Sequence, residues 1–434
     1  MWCTNYRSRP ILLFPLLWLA ACGTLEVGSA PPASATLEPT RAATATMAPT
    51  PVTAIEGTAV AYVQHRTLYV RDLPQAHPPM LVDDCLDPKC LFQYLKWSPN
   101  GRYLLYYRED NGIHEIRLAD RQGMVRTVAS GTAPLRPAAW SPDGRQIAFL
   151  RQTDRWIESE PLGNIVEVWS VAVAASGAIS DAKIVGEIHG GAGCGGGGRS
   201  QSDELYEREG GTAYGFQMSK TEWTAQNILL YTLDCGNAGI GRFDMSTGTE
   251  LEPYAVPLRG LVLNRGRDRW VAVTWDARST ELRKNELAAG DPTSTDTEII
   301  PTLAPVELVY VGPVSGHIYY TSRHRTGGAN LSDDYFFNFY ESALWMIHAD
   351  GSGEKLLWQA ADHSFAGVTE ALDGSILFVR VENDVALYEA VQDETVAPER
   401  WVDYLPQRHI VRILAPGGEP EAWLENAGNL AISP

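Results

Sequence analysis

The densest run of side chains suited to ligand chemistry is aromatic: Asp333-Asp334-Tyr335-Phe336-Phe337-Asn338-Phe339-Tyr340. An aromatic face stacks on a sugar or a peptide while neighbouring polar groups orient it. Asp333, Asp334, Tyr335, Phe337 and Tyr340, together with Trp156, Trp401 and Tyr404, therefore make a candidate ligand face. The same rings serve equally well as staples that hold long loops against a body. Asp154, Glu158, Glu160, Asp203, Glu204 and Glu207 offer the oxygen ligands that Ca²⁺ prefers. Their spacing matches no calcium loop, so they read as a solvated acidic rim, and no metal or cofactor is assigned. Residues 193–200 (GCGGGGRS) satisfy G-x-G-x-x-G and nearly a P-loop. Arg199 stands where the lysine belongs, and no amphipathic helix follows to aim its N-terminus at a phosphate. This is a glycine loop. Neither G-x-S-x-G nor H-E-x-x-H occurs, and the nine histidines are scattered. No catalytic residue is assigned.

The N-terminus supplies an address. Arg7 and Arg9 precede a short apolar core, Ile11 to Ala20, in residues 1–21. This is the pattern of a secretory signal, too short to span a bilayer and interrupted by Pro15. Leu19-Ala20-Ala21-Cys22 resembles the lipobox of bacterial lipoproteins. The resemblance implies that Cys22 becomes the lipidated first residue of the mature chain, held in the membrane by acyl chains worth ~0.8 kcal/mol per buried CH₂. Ordinary signal cleavage, with Cys22 a spare thiol, is the alternative. Gly23 follows, not the Asp that often retains lipoproteins at the inner membrane. Residues 22–55 are mostly Ala, Thr, Pro and Ser, too poor in large apolar side chains to offset their ordering entropy. They read as a disordered tether reaching ~30 Å as a coil and up to ~100 Å if polyproline-like. The expected location is extracytoplasmic, lipid-anchored in the cell envelope.

The chain is acidic, with 35 basic against 53 acidic side chains and a net charge of −18. Removing residues 1–21 takes two arginines and no acids, leaving 33 against 53, or −20. Such a surface disfavours nucleic acid and anionic polymers. Of six cysteines, Cys3 leaves with the signal and Cys22 carries lipid. Cys85, Cys90, Cys194 and Cys235 remain, an even number in an exported chain, which suggests two disulfides with three connectivities possible. Free buried thiols are the alternative. The spacing Cys-x₄-Cys, with no matching His pair, argues against a zinc site.

These residues need a scaffold, and residues 56–434 read as all-β. Seven four-strand units fit along this span, at the repeat length of a propeller. The second unit is the clearest, with strands at Phe92–Trp97, Arg102–Arg108, His114–Leu118 and Val125–Ala129. The fourth is expected to begin with Tyr214–Met218, and the fifth to take Glu281–Leu287 as its third strand. No convincing amphipathic helix appears. Second strands such as YLLYY, IAFL and ILFVRV are apolar on both faces, as expected of a sheet packed between neighbouring blades. Unit one lacks a first strand. The terminal Asn429-Leu430-Ala431-Ile432-Ser433-Pro434 repeats the cadence of Leu95-Lys96-Trp97-Ser98-Pro99 and is expected to close the ring, removing two open edges.

Residues 138–149 (AAWSPDGRQIAF) and 344–357 (LWMIHADGSGEKLL) resemble TolB-type, WD-repeat-like propeller repeats. The resemblance implies that Trp97 and Trp140 pack between blades and that the Ser-Pro-Asp-Gly turn joins first and second strands. The N-terminal α/β domain of TolB has no counterpart here, so the Tol-system role is not implied.

In such a meander, turns after the first and third strands share one face, and the other connections share the opposite one. The long insertions, 151–164, 189–211, 323–341 and 383–408, all fall in the second set. Long loops gathered on one rim mark a binding surface or a cap over the channel. Cys194 and Cys235 share that rim and Cys85 and Cys90 bracket one connection, so the pairs 85–90 and 194–235 are favoured. The reading is a membrane-anchored binding or scaffold module for a protein, peptide or glycan. The alternative is a secreted lyase, hydrolase or cyclase with carboxylates at the channel mouth.

Overall fold

The doubly apolar runs lie where two blades meet. In the second strand of blade two, Tyr103–Asp110, Leu104 and Tyr106 pack toward blade one, while Tyr103, Leu105 and Tyr107 pack toward blade three. Period-two side-chain alternation thus feeds two cores from one strand. The same division recurs around the molecule, giving seven apolar clusters, each shared by adjacent blades. The computed structural model describes residues 58–73, 78–85, 87, 90–135, 137–157, 163–189, 220–233, 239–254, 258–274, 285–332, 335–383, 385–393, 395, 404, 407–414 and 418–433.

Seven four-stranded antiparallel sheets follow one another along the chain. Their innermost strands, from blade one to blade seven, are Ala427–Ile432, Leu91–Trp97, Ala139–Trp140, Thr221–Trp223, Leu258–Leu263, Leu308–Val311 and His363–Glu370. Blade one is completed by the terminal strand, which pairs with Thr58–Gln64 from Val60↔Ile432 to Gln64↔Ala427. Ser433 locks it: its N–H donates to Ala59 O at 2.8 Å, and its Oγ accepts from the Ala59 N–H at 2.8 Å. A shared core between Val60 and Tyr62 of blade one and Leu377, Val379 and Ile410 of blade seven closes the circle. This is the seven-bladed propeller the repeats predict.

The tight turns explain the repeat. Gly101 and Gly144 take φ of 65° and 67° in the Ser-Pro-Asn-Gly and Ser-Pro-Asp-Gly turns, a conformation that costs glycine nothing. Ser98 and Ser141 close each turn, accepting the N–H of Gly101 at 2.8 Å and of Gly144 at 2.9 Å. Trp97 donates from Nε1 to Ala431 O of blade one, and Trp140 to Lys96 O of blade two, both at 3.3 Å. These indoles therefore join blades as the TolB-type resemblance implied.

Several boundaries differ from the sequence reading. Blade four takes Thr221–Trp223 as its innermost strand, and the expected Tyr214–Met218 lies outside the described residues. Blade five takes Leu287–Gly290 as its third strand, because this is the segment whose Leu287 and Ala289 reach the core against blade six. Two of the four insertions continue their blades as strands: Gln146–Ile157 pairs with Gly163–Ala172, and Ile318–Ser332 with Tyr335–Ile347. The fourth insertion carries a short helix, Val385–Gln392, that buries Leu387 and Ala390. Its single apolar face of two buried residues is too brief to give a helical pattern in the sequence.

Cys85 and Cys90 form the expected disulfide, with Cα atoms 5.4 Å apart across the connection from blade one to blade two. Cys194 and Cys235 lie outside the described residues, as do Cys22 and the whole of 1–57. For so short a loop, the chain-entropy account gives about 2 kcal/mol. Replacing both Cys85 and Cys90 by Ser is expected to lower unfolding free energy by about that amount in urea titration, with an unchanged m-value. A loss below ~0.5 kcal/mol would show that the bridge constrains nothing the fold does not already hold.

Candidate functional site in the central channel

Four innermost strands break their ladders at the channel. Tyr94, Gly260, Gly367 and Asn429 adopt φ of 53°, 67°, 58° and 49° where the register of each strand with its neighbour shifts. A β-bulge leaves a residue unpaired and re-aims the side chains around it. Here the freed groups tie blades together across the axis-facing wall. Asn429 Nδ2 donates to Phe92 O at 2.7 Å, and the Gly367 N–H donates to Tyr310 Oη at 2.8 Å.

Within this wall lies a cavity of ≈ 240 Å³. Its lining divides chemically. Val368, Val379, Val381 and Leu430, from blades seven and one, form an apolar side, while Lys96, Lys220 and Glu222, from blades two and four, form a charged side. Arg408, at the start of the third strand of blade seven, adds another cation.

The charged side is a network. Lys96 Nζ donates to Glu222 Oε1 at 2.7 Å and to Thr221 O at 3.1 Å. Arg267, from the tight turn of blade five, sets Nη2 3.6 Å from Glu222 Oε2 and donates from Nε to Trp223 O at 2.8 Å. Burial works against ionised Glu222, but Lys96, Arg267 and Lys220 together hold its pKa below the usual carboxylate range. Burial lowers the Lys96 pKa, an effect that Glu222 partly offsets. Lys220 precedes the innermost strand of blade four and is anchored through its backbone to Thr232. Its Nζ lies 5.7 Å from the centre of the Tyr310 ring, within cation–π range. Burial pushes the Lys220 pKa down from its ordinary 10.5 to about 8; Glu222 resists the shift and Lys96 adds to it. Among the described residues the cavity wall carries one carboxylate, Glu222, shared by three cations.

Sequence reading missed this cluster, although a signal exists. Lys96 and Glu222 occupy the same repeat position, directly before Trp97 and Trp223. A charged residue in a strand that otherwise serves a core is the mark of a channel-facing place.

The expected ligand face is distributed over blades three, six and seven. Trp156 sits opposite Asn164 in the extended hairpin of blade three. Tyr335, Phe337 and Tyr340 sit opposite Ser332, Ala329 and Arg325 in that of blade six. Tyr404 is half-buried in the connection leading to Arg408. Asp333, Asp334 and Trp401 lie outside the described residues. Tyr340 acts as a fastening. Its N–H donates to Asn383 Oδ1 at 3.2 Å, its C=O accepts from Asn383 Nδ2 at 2.8 Å, and Arg323 lies 4.1 Å above its ring. Phe339 meets Tyr388 of the helix edge-on at 5.8 Å. Among the described residues no group of three His, Cys, Asp or Glu gathers as a metal site.

The strand order defines a closed seven-bladed β-propeller. The sequence matches no protein-family model and no curated protein. Solved structures similar to it are themselves propeller proteins. TolB from Acinetobacter baumannii aligns with 14% identity and a TM-score of 0.43 over 69% of this chain, which spans 62% of that protein. The β-propeller domain of the Trilobed protease from Pyrococcus furiosus aligns with 12% identity and a TM-score of 0.49, covering 85% of this chain and 95% of that one. Oligogalacturonate lyase from Vibrio parahaemolyticus aligns with 7% identity and a TM-score of 0.48, covering 72% and 79%.

Proposed function

We propose that this chain is a lipid-anchored, extracytoplasmic binding module of the cell envelope, which grips a protein, peptide or glycan on the face carrying its long connections. The observation that carries this reading is the hairpin of blade six. Its strands pair with each other from Ile318↔Ile347 out to Ser332↔Tyr335, whereas the outer strand of the blade stops at Ser342↔Ala360. Residues 324–332 of one arm and 335–341 of the other thus extend past the blade, roughly 25–30 Å of ribbon at the usual strand rise. A lone two-stranded ribbon is marginal in water. This one is bolted at its root to Asn383 and Tyr388 of blade seven. An element held out at such cost is suited to contact with a partner. The signal pattern, Cys22 and the Ala/Thr/Pro tether support placement outside the cytoplasm at a membrane surface.

The test is an affinity capture from envelope extracts with the full-length protein and a variant lacking 323–341, alongside fatty-acid labelling of wild type and Cys22→Ser. The hairpin deletion is expected to lose the captured partner while keeping a cooperative melt, and Cys22→Ser to lose the label. Equal recovery of partners would remove the hairpin from recognition. Undiminished labelling of the Cys22→Ser variant would remove the anchor.

A further inference from the structure

We infer that the channel cavity binds a small organic carboxylate, its anionic end held by Lys220 and Lys96 and its hydrocarbon laid against Val368, Val379 and Leu430. This site is separate from the rim on which the preceding proposal rests. Four observations lead to it.

First, the donors are unspent. An ammonium group carries three N–H donors. Lys96 uses two, on Glu222 and Thr221. Lys220 Nζ, among the described residues, makes no hydrogen bond or ion pair; its contact is the face of Tyr310. Lys220 is half-buried on the cavity wall, so an acceptor entering the cavity makes a charge-assisted hydrogen bond that the protein itself leaves unmade. Second, the charge is of one sign. Among the described residues that line the cavity, Lys96, Lys220 and Arg408 are cationic and Glu222 is the one carboxylate, which Arg267 also approaches. That surplus stands inside a chain whose net charge is −18. A low-dielectric channel focuses such a field on small anions. Third, the opposite wall is hydrocarbon. Inorganic phosphate or sulfate would leave that wall dry and uncovered, whereas a carboxylate with a short alkyl or aryl group covers it. Fourth, ≈ 240 Å³ is below the roughly 300–1,000 Å³ usual for drug-sized ligands. A short acid fits and a polymer does not enter whole.

The bulges explain why the wall has this form. Tyr94, Gly367 and Asn429 interrupt pairing just where they line the cavity. Uninterrupted ladders would instead direct these positions by strict alternation.

The experiment is calorimetric titration of the full-length protein at neutral pH with sodium butyrate and sodium benzoate. Butyramide, which has the shape without the charge, and inorganic phosphate, which has the charge without the hydrocarbon, are the comparison probes. At least one carboxylate is expected to bind at least about tenfold more tightly than butyramide and phosphate, as a charge-assisted hydrogen bond warrants. Lys220→Met is expected to weaken it by at least about tenfold while the protein still melts cooperatively. Leu430→Phe, which fills the hydrocarbon side and keeps both lysines, is expected to weaken benzoate more than butyrate. Equal binding of butyrate and butyramide would overturn the inference. So would phosphate binding as tightly as the acids, undiminished affinity in Lys220→Met, or no binding of either acid to the folded protein.

Discussion

Removal of residues 427–434 is expected to abolish the cooperative thermal transition and to drive the protein into aggregates. The strand contributes the entire innermost edge of blade one, in register from Val60↔Ile432 to Gln64↔Ala427. Its loss strips those ladder bonds and the two Ser433–Ala59 bonds, and leaves Trp97 Nε1 without the Ala431 carbonyl. It also opens the core between blades seven and one, to which Ala427, Leu430 and Ile432 contribute. At 0.5–1.5 kcal/mol per bond, plus burial, the loss is on the order of 5–10 kcal/mol. That equals the whole stability of an ordinary domain. The edge of Thr58–Gln64 is then bare of its partner, the condition that invites edge-to-edge association. Circular dichroism melts with light scattering read the outcome. A variant ending at residue 426 that melts within about 5 °C of the full chain would mean that the ring does not depend on its terminal strand.

The legible parts of this fold are those in which one residue type suffices. Tyr103–Tyr107 is apolar at every position because two blades cover it, and Gly101 and Gly144 occupy a backbone conformation that favours glycine. Blades four and five use the same turn with Asn227 and Arg267 at φ of 64° and 55°. Neither residue announces a turn as glycine does, so the repeat fades in the sequence where it persists in the backbone. The innermost strand of blade four is three residues long and has Glu222 at its centre. Tyr214–Met218 has the better strand composition, and composition cannot know that Lys96, 126 positions earlier, would neutralise that carboxylate. The channel site was marked only by Lys96 and Glu222 at one repeat position, because its charges come from separate blades and meet only when the ring is closed. The terminal strand was legible because its cadence matches that of blade two.

Glu222→Gln is expected to destabilise the protein by about 3–5 kcal/mol at pH 7, the usual consequence of removing one partner from a buried charge pair. The amide keeps the shape and one acceptor, so the loss is electrostatic rather than a cavity effect. Lys96, Arg267 and Lys220 would then share a confined space with no counter-charge among them. The dependence on pH separates this account from a simple packing defect. Lys220 titrates near 8 in the folded protein because burial lowers it from 10.5. Between those values the unfolded chain binds a proton that the folded chain does not, so stability attributable to this group rises with pH through the window. Without Glu222, which resists the shift, Lys220 titrates lower still. The deficit of Glu222→Gln relative to wild type should therefore narrow between pH 7 and pH 9, as Lys220 sheds its charge. Adding Lys220→Met to Glu222→Gln should recover on the order of 1–2 kcal/mol at pH 7 and much less at pH 9. Urea titrations of the two variants and wild type at both pH values measure this directly. A deficit below ~1 kcal/mol, or one unaltered by pH and by Lys220→Met, would mean that the channel charges do not interact as their geometry requires.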